Sequence, residues 1–258
     1  MKLLTTCMEC LKELGHPSFE PIIADYYEEA IAVIECSRGH KSAFMLQSQK
    51  FEILLESGAS ALLEGYTIEA AYSFTAALER FYEFCIRVFY IKDGLNEIEF
   101  NATFKQMAVQ SERQLGAFLY LYLQNFRKAY QVKKSIVEFR NRVVHKGYIP
   151  TLEEAEMYGA AIFDEICNVS KALKEAFPDQ ITKVIFSILR DRGKIVPQDM
   201  PRATSSGTMF FNLSNGDQKM SFKEVLANYK EAQEMIAGAV PYMKMLSKIV
   251  GTAADKTT

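Results

Sequence analysis

The sequence predicts a mainly α-helical chain, with a small β module at its N-terminus and a short hairpin and helix at its C-terminus. Three observations lead there. From residue 48 to about 177 apolar residues recur at i, i+3 and i+4, the period of a helix with one buried face. Before that stretch, two short β-prone runs flank the turn Ser37-Arg38-Gly39. After it, Asn215-Gly216, the preferred two-residue hairpin turn, lies between Met209–Leu213 and Gln218–Met220. Three zones follow: 1–46, 48–177 and 179–258.

In the first zone Ile31–Ile34 and Ala43–Leu46 are the expected strands, with Gly39 free to take a positive φ. In the second, Phe51, Leu54, Leu55, Ala59 and Leu62 mark one helix face, and Ala71, Phe74, Leu78, Phe81, Cys85, Val88 and Phe89 mark another. Gly65 and Lys92-Asp93-Gly94 punctuate them. A third helix is expected over about Phe104–Tyr130 despite Gly116, and a fourth over Val132–His145, stopping at Lys146-Gly147. Thr151 with Glu154 forms a capping box that opens a fifth, running to about Ala176 before Pro178. In the third zone Ile181–Arg190 reads as helix and 197–207, with two prolines and a Thr-Ser-Ser-Gly run, as a linker. Ser221 with Glu224 caps a last helix through about Ala237, and Thr252–Thr258 reads as a frayed tail. Met209, Phe210, Phe211, Met235, Met243 and Met245 fit either a docking face or ordinary core.

With 258 residues the chain can bury a core without disulfide staples. A net charge of −2 and a mean hydropathy near zero exclude a whole-protein polycation. The N-terminal apolar run is too short for a signal peptide. Phe81–Ile91, interrupted by Glu83 and Arg87, falls short of the roughly 20 apolar residues of a membrane span. Five cysteines, an odd number, point to reduced thiols and a cytoplasmic protein with no membrane partner.

Four of those thiol and imidazole groups have metal-ligand spacing. Cys7-x-x-Cys10 supplies half of a tetrahedral site, and Cys36-Ser-Arg-Gly-His40 can supply the other half. The pattern resembles a zinc ribbon. With Cys7, Cys10, Cys36 and His40 as ligands, a zinc ion would have no open position, so its role would be structural. Unliganded core thiols and a redox Cys-x-x-Cys pair are the competing readings. His16, between Gly15 and Pro17, is a rival ligand. Cys85 and Cys167 sit on apolar helix faces as small core residues.

The strongest chemical signal is Arg140-Asn141-Arg142-Val143-Val144-His145. On an α-helix Asn141 and His145 share a face, while Arg140 sits about 100° round. His145 would lie in the last turn, where the helix dipole favours an imidazolium. An imidazole can move the proton of a ribose 2′-OH or of a leaving 5′-oxygen, and a guanidinium can stabilise charge on the phosphorane. Seven Lys/Arg between Arg127 and Gly147 against Glu138 alone leave a local charge of +6. That predicts a phosphate-facing surface including Lys133, Lys134, Arg142 and Lys146. Tyr130 and Tyr148 are placed to stack on unpaired bases. A helix cap within a solvated basic face is the purely structural alternative.

The run from Arg140 to Ala155 resembles the signature helix, loop and following helix of HEPN domains, and Glu69–Tyr82 is similar to the long helix that precedes them. The resemblance covers about residues 50–176. It implies a HEPN-like helical bundle that forms a homodimer, with two Arg/His motifs facing one cleft. Many members are metal-independent endoribonucleases in toxin–antitoxin, abortive-infection or other antiviral systems, so the expected partners are RNA, a second copy and a neutralising protein. Arg140, Asn141 and His145 would be catalytic, with no catalytic metal. Glu79 would stand behind Arg140 as a polar partner, although a surface or helix-pairing glutamate is an equal reading. Other members only bind RNA, nucleotides or a partner protein.

Overall fold

A computed structural model describes residues 1–216 and 218–254. In chain order it contains β1 (Lys2–Thr5), α1 (Met8–Leu14), β2 (Ile22–Asp25), β3 (Ile31–Glu35), β4 (Lys41–Leu46), α2 (Lys50–Leu63), α3 (Thr67–Lys92), α4 (Glu97–Met107) and α5 (Ser111–Phe126). Then come α6 (Lys134–Arg140), a π-helical turn (Asn141–His145), α7 (Leu152–Ala176), α8 (Pro178–Ile195), β5 (Arg202–Ser205) and α9 (Phe222–Ala254). The chain is mainly helical with a small sheet module, as its periodicity predicts. No helix among the described residues is long and apolar enough to cross a membrane.

The chain forms two compact units. The first combines Met1–Gln47, Ser187–Gly207 and the chain from Asn228; the second holds Ser48–Phe186 and Thr208–Ala227. Residues 179–258 are thus shared between them.

In the first unit β1 and β2 pair antiparallel, with Leu3 opposite Ala24. β3 and β4 form the expected hairpin in antiparallel register, Val33 opposite Ala43. The alternation of β3 explains the register: Ala32 and Ile34 are buried while Val33 and Glu35 point to solvent. Gly39 takes φ +81°, and its N–H donates to the Cys36 carbonyl at 2.9 Å. The 197–207 segment, expected to be a linker, contributes β5 instead, parallel to β4 with Ala203 opposite Phe44. Arg202–Ser205 carries no apolar alternation, so a four-residue edge strand leaves no periodic signal. Its place is secured by the Arg202 guanidinium, which donates to the carbonyls of Gly193, Val196 and Pro197.

In the second unit α3 packs against α2, α5 and α7. Phe51, Phe74, Phe81, Phe118 and Phe163 are essentially inaccessible there. Phe74 lies between Gly58 of α2 and Gly159 of α7, and a Cβ at either glycine would fall 2.6 Å from its ring. The Thr151–Glu154 capping box forms, with N–H···O distances of 3.0 and 3.2 Å. Pro178 both follows α7 and opens α8, where its missing N–H costs nothing.

Several expected boundaries are corrected. The helix expected over Phe104–Tyr130 is two: α4 ends at Met107 and α5 starts at Ser111, separated by an extended Gln110. No Gly or Pro marks that break, and Gly116 lies inside α5 without interrupting it. The expected C-terminal hairpin is absent among the described residues. Residues 208–216 instead form a loop tied to α2 by two buried carboxylates. Glu56 accepts from the N–H groups of Met209 and Phe210, at 2.5 and 3.0 Å, and Glu52 from that of Leu213 at 2.5 Å. Phe210 and Phe211 are core residues packed around Phe163. The Ser221–Glu224 cap opens α9, which continues past Ala237 to Ala254 with Pro241 inside it. The tail expected to fray is helical at 252–254, and its remainder, 255–258, lies outside the described residues. Along α9, Met235 and Met245 are exposed.

Candidate functional site

Two groups of reactive side chains stand out, one in each unit. In the first unit Cys7 caps α1, and its Sγ accepts the N–H of Cys10 at 3.5 Å, one turn into the helix. Cys36 and His40 bracket the β3–β4 turn that Gly39 closes. Helix start and hairpin turn bring Cys7, Cys10, Cys36 and His40 together, with all four ligand atoms within 4.8 Å of one another. Cys10 Sγ is 3.8 Å from Cys36 Sγ and 3.3 Å from His40 Nδ1, and Cys7 Sγ is 3.7 Å from the same nitrogen. A tetrahedron with metal–sulfur bonds near 2.3 Å and metal–nitrogen bonds near 2.0–2.1 Å has edges of about 3.8 Å between sulfurs and about 3.6 Å between sulfur and nitrogen. The four residues therefore could hold a metal ion.

The surroundings fit that role. All three thiols are buried, with Leu14 and Ile22 packed against them. Burial, reinforced by the neighbouring Cys7 and Cys36, pushes the Cys10 thiol up to about 12. A bound cation is a partner that would make thiolates favourable in such a buried group. Glu13 Oε1 sits 3.0 Å from His40 Nε2, and its other oxygen sits 3.0 Å from Arg38 Nη2. A carboxylate on the outer imidazole nitrogen fixes the proton there and turns the Nδ1 lone pair toward the sulfurs. Glu13 carries no sequence motif; only its place one turn past Cys10 could have suggested it. His16 is exposed, bonded near its own loop at the Pro17 carbonyl, and is no member of the cluster. Cys85 is fully buried and Cys167 partly so, both in the second unit.

In the second unit the Arg-Asn-x-x-x-His segment departs from the helix expected of it. α6 ends at Arg140, and Asn141–His145 forms a π turn. An α-helix would leave residues five apart on different faces, whereas the wider π turn brings them close. Arg140 Nη1 thus lies 3.4 Å from His145 Nε2. Arg140 meets His145 more closely than α-helical spacing predicts. Arg140 is held from behind: Nη2 donates to Glu79 Oε1 at 3.1 Å and to Ser111 Oγ at 3.0 Å, and Nη1 lies 3.6 Å from Glu112 Oε1. The Glu112 carboxyl is held below its ordinary value by the α5 backbone and by Arg140. Asn141 and His145 are exposed.

The basic surface differs from the charge counted along the chain. Lys133 pairs with Glu165 at 3.5 Å, Lys134 with Glu138 at 3.3 Å and Arg142 with Glu154 at 3.6 Å. Acids from α3, α5 and α7 therefore offset much of the +6, a contribution that counting within one segment cannot register. Lys146 is exposed. Tyr148 donates to Glu154 at 2.9 Å, with the Arg142 guanidinium 4.5 Å above its ring. Tyr130, expected to stack on bases, is engaged elsewhere: it packs against Phe118 and Tyr122, its ring centroid 4.9 and 5.1 Å from theirs, and donates to Glu165.

Compared with known proteins, the chain matches no family model, no curated protein and no solved structure.

Proposed function

We propose that the second unit cuts single-stranded RNA in the HEPN manner, without a catalytic metal, using Arg140 and His145. The observation that carries this reading is the 3.4 Å approach of an anchored guanidinium to an exposed imidazole across the π turn. In the reaction a general base takes the proton of a ribose 2′-OH, and the 2′-oxygen attacks phosphorus. The P–O5′ bond breaks and a general acid returns a proton to O5′, leaving a 2′,3′-cyclic phosphate and a 5′-hydroxyl. Arg140 stabilises the charge that builds on the phosphorane, and the Asn141 amide can donate to a non-bridging oxygen. Each chain brings one His145, so acid and base together call for a homodimer with two motifs at one cleft. Lys146, Arg142 and Tyr148 would guide the strand, with Lys133 and Lys134 further along the same segment. Such an activity suits a cytoplasmic toxin or antiviral-defence effector restrained by a neutralising partner protein.

For the first unit we propose a structural zinc ion on Cys7, Cys10, Cys36 and His40, because three thiolates and one imidazole at tetrahedral spacing match zinc best among common ions.

A second reading rests on the same guanidinium. Both terminal nitrogens of Arg140 already face carboxylates, which suits a non-catalytic module that binds RNA, a nucleotide or a partner protein. Incubating the protein with RNA in magnesium-free buffer containing EDTA, beside His145→Ala and Arg140→Ala, separates the two. Cyclic-phosphate ends that disappear in both variants support the nuclease. Cleavage retained in the variants refutes the site, and binding without cleavage favours the module.

A further inference from the structure

Beside the Arg140–His145 pair lies a cavity of about 260 Å³ between α3, α5, α6 and α7. Its inner wall is apolar and buried, formed by Leu78, Tyr82 and Ile136. Glu79, Glu112 and Arg140 also line it, with the exposed Asn141 at its outer edge. A second, open cleft of about 770 Å³ adjoins it and carries Arg142 and Lys146. Asn141 lines both spaces. The cleft, where Glu138 and Glu154 accompany the two cations, and the partly open cavity share Ile136, Asn141 and Tyr158, an arrangement that suits a single strand whose backbone stays outside while one base turns in.

The chemistry of the cavity selects which base. The Tyr158 hydroxyl is bonded to Thr75 at 2.8 Å, and that of Tyr82 to Tyr130 at 3.4 Å. Glu79 and Glu112 are the carboxylates on this lining and only accept, while Arg140, which only donates, stands beside them with Ser111 and Asn141. Guanine presents two adjacent donors, N1–H and the N2 amino group. Adenine and cytosine place an unprotonated ring nitrogen beside their amino group, which a carboxylate repels, and uracil flanks its one N–H with carbonyls. The volume admits a purine.

Resting on the nuclease reading above, we propose that this cavity is a guanine subsite that receives the nucleotide next to the scissile phosphate.

The test compares single-stranded oligoribonucleotides that carry one guanosine, inosine or adenosine in an otherwise fixed sequence, beside binding of free GMP followed by NMR. Leu115→Phe and Val132→Phe, on two different walls, fill the cavity; the second serves if circular dichroism shows the first misfolded. The expected result is cleavage beside guanosine at least roughly tenfold faster than beside adenosine, inosine falling between because it lacks the N2 donor, and loss of that preference in the filled variants. Cleavage indifferent to the base overturns the subsite and leaves the nuclease standing. GMP binding that the filled variants abolish, without cleavage of any RNA, keeps the guanine cavity, makes a free nucleotide its ligand and overturns the nuclease. Neither cleavage nor GMP binding overturns both.

Discussion

Gly159→Ala tests the packing that underlies the second unit. A Cβ at this position would lie 2.6 Å from Phe74 Cε2 and 3.0 Å from Phe222 Cζ. An ordinary carbon–carbon contact needs about 3.6 Å, so the methyl is short of room by about 1 Å. On its opposite edge the ring already fills the space that a side chain at Gly58 would need, so it lies close against α2 and has little room to yield. Overpacking with little escape belongs near the top of the roughly 1–3 kcal/mol range, while replacing glycine within a helix returns about 1 kcal/mol. The net loss is about 2 kcal/mol, or a Tm lowered by about 4–8 °C in a chain of this size. Gly116→Ala is the matched control: it is also helical, with nothing within 4 Å of the new methyl, and should raise the Tm by about 2–4 °C. Thermal unfolding of both variants by far-UV circular dichroism decides the matter. A Gly159→Ala protein as stable as Gly116→Ala would refute the wedge.

The remaining predictions concern charge and metal. Burial raises the Glu56 carboxyl above its ordinary 4.5, against the opposing pull of the Phe210 and Met209 amides. The native state therefore keeps a proton that the unfolded chain has lost, and this contribution to stability falls as pH rises through the window from 4.5 to the raised value. Glu56→Gln, which keeps one acceptor oxygen, should flatten that fall in urea midpoints measured from pH 4 to 8; parallel wild-type and variant curves would contradict it. Cys10→Ser should take the bound metal, measured by elemental analysis without chelator treatment, from one per chain to well below one. Glu13→Ala should weaken zinc roughly ten- to hundredfold in competition with a chromophoric chelator, because His40 loses the carboxylate that orients it.

The legible parts of this chain were those with local causes. The alternation around Ser37-Arg38-Gly39 gives β3 and β4, and the Thr151 and Ser221 boxes give the starts of α7 and α9. The spacing of Cys7, Cys10, Cys36 and His40 announces a cluster that the structure brings together. What escaped depends on partners distant in sequence. β5 is a strand because β4 offers it an edge, and 209–213 is a pinned loop because Glu52 and Glu56 capture its amides. The break at Gln110 has no Gly or Pro, and the π turn has no composition of its own. The acids that face the basic segment come from α3, α5 and α7, so a count along the chain overstated its charge.

The first unit has a further property, seen when the chain is followed off the ribosome. β4 is synthesised early, yet its parallel neighbour β5 arrives only after α2 to α8 have been made. Until then one flank of a nascent two-stranded ribbon has no strand beside it, the condition in which edges pair wrongly. The Cys7, Cys10, Cys36 and His40 side chains are all available within the first 40 residues. A metal captured at that moment would clamp α1 to the ribbon before its last strand exists.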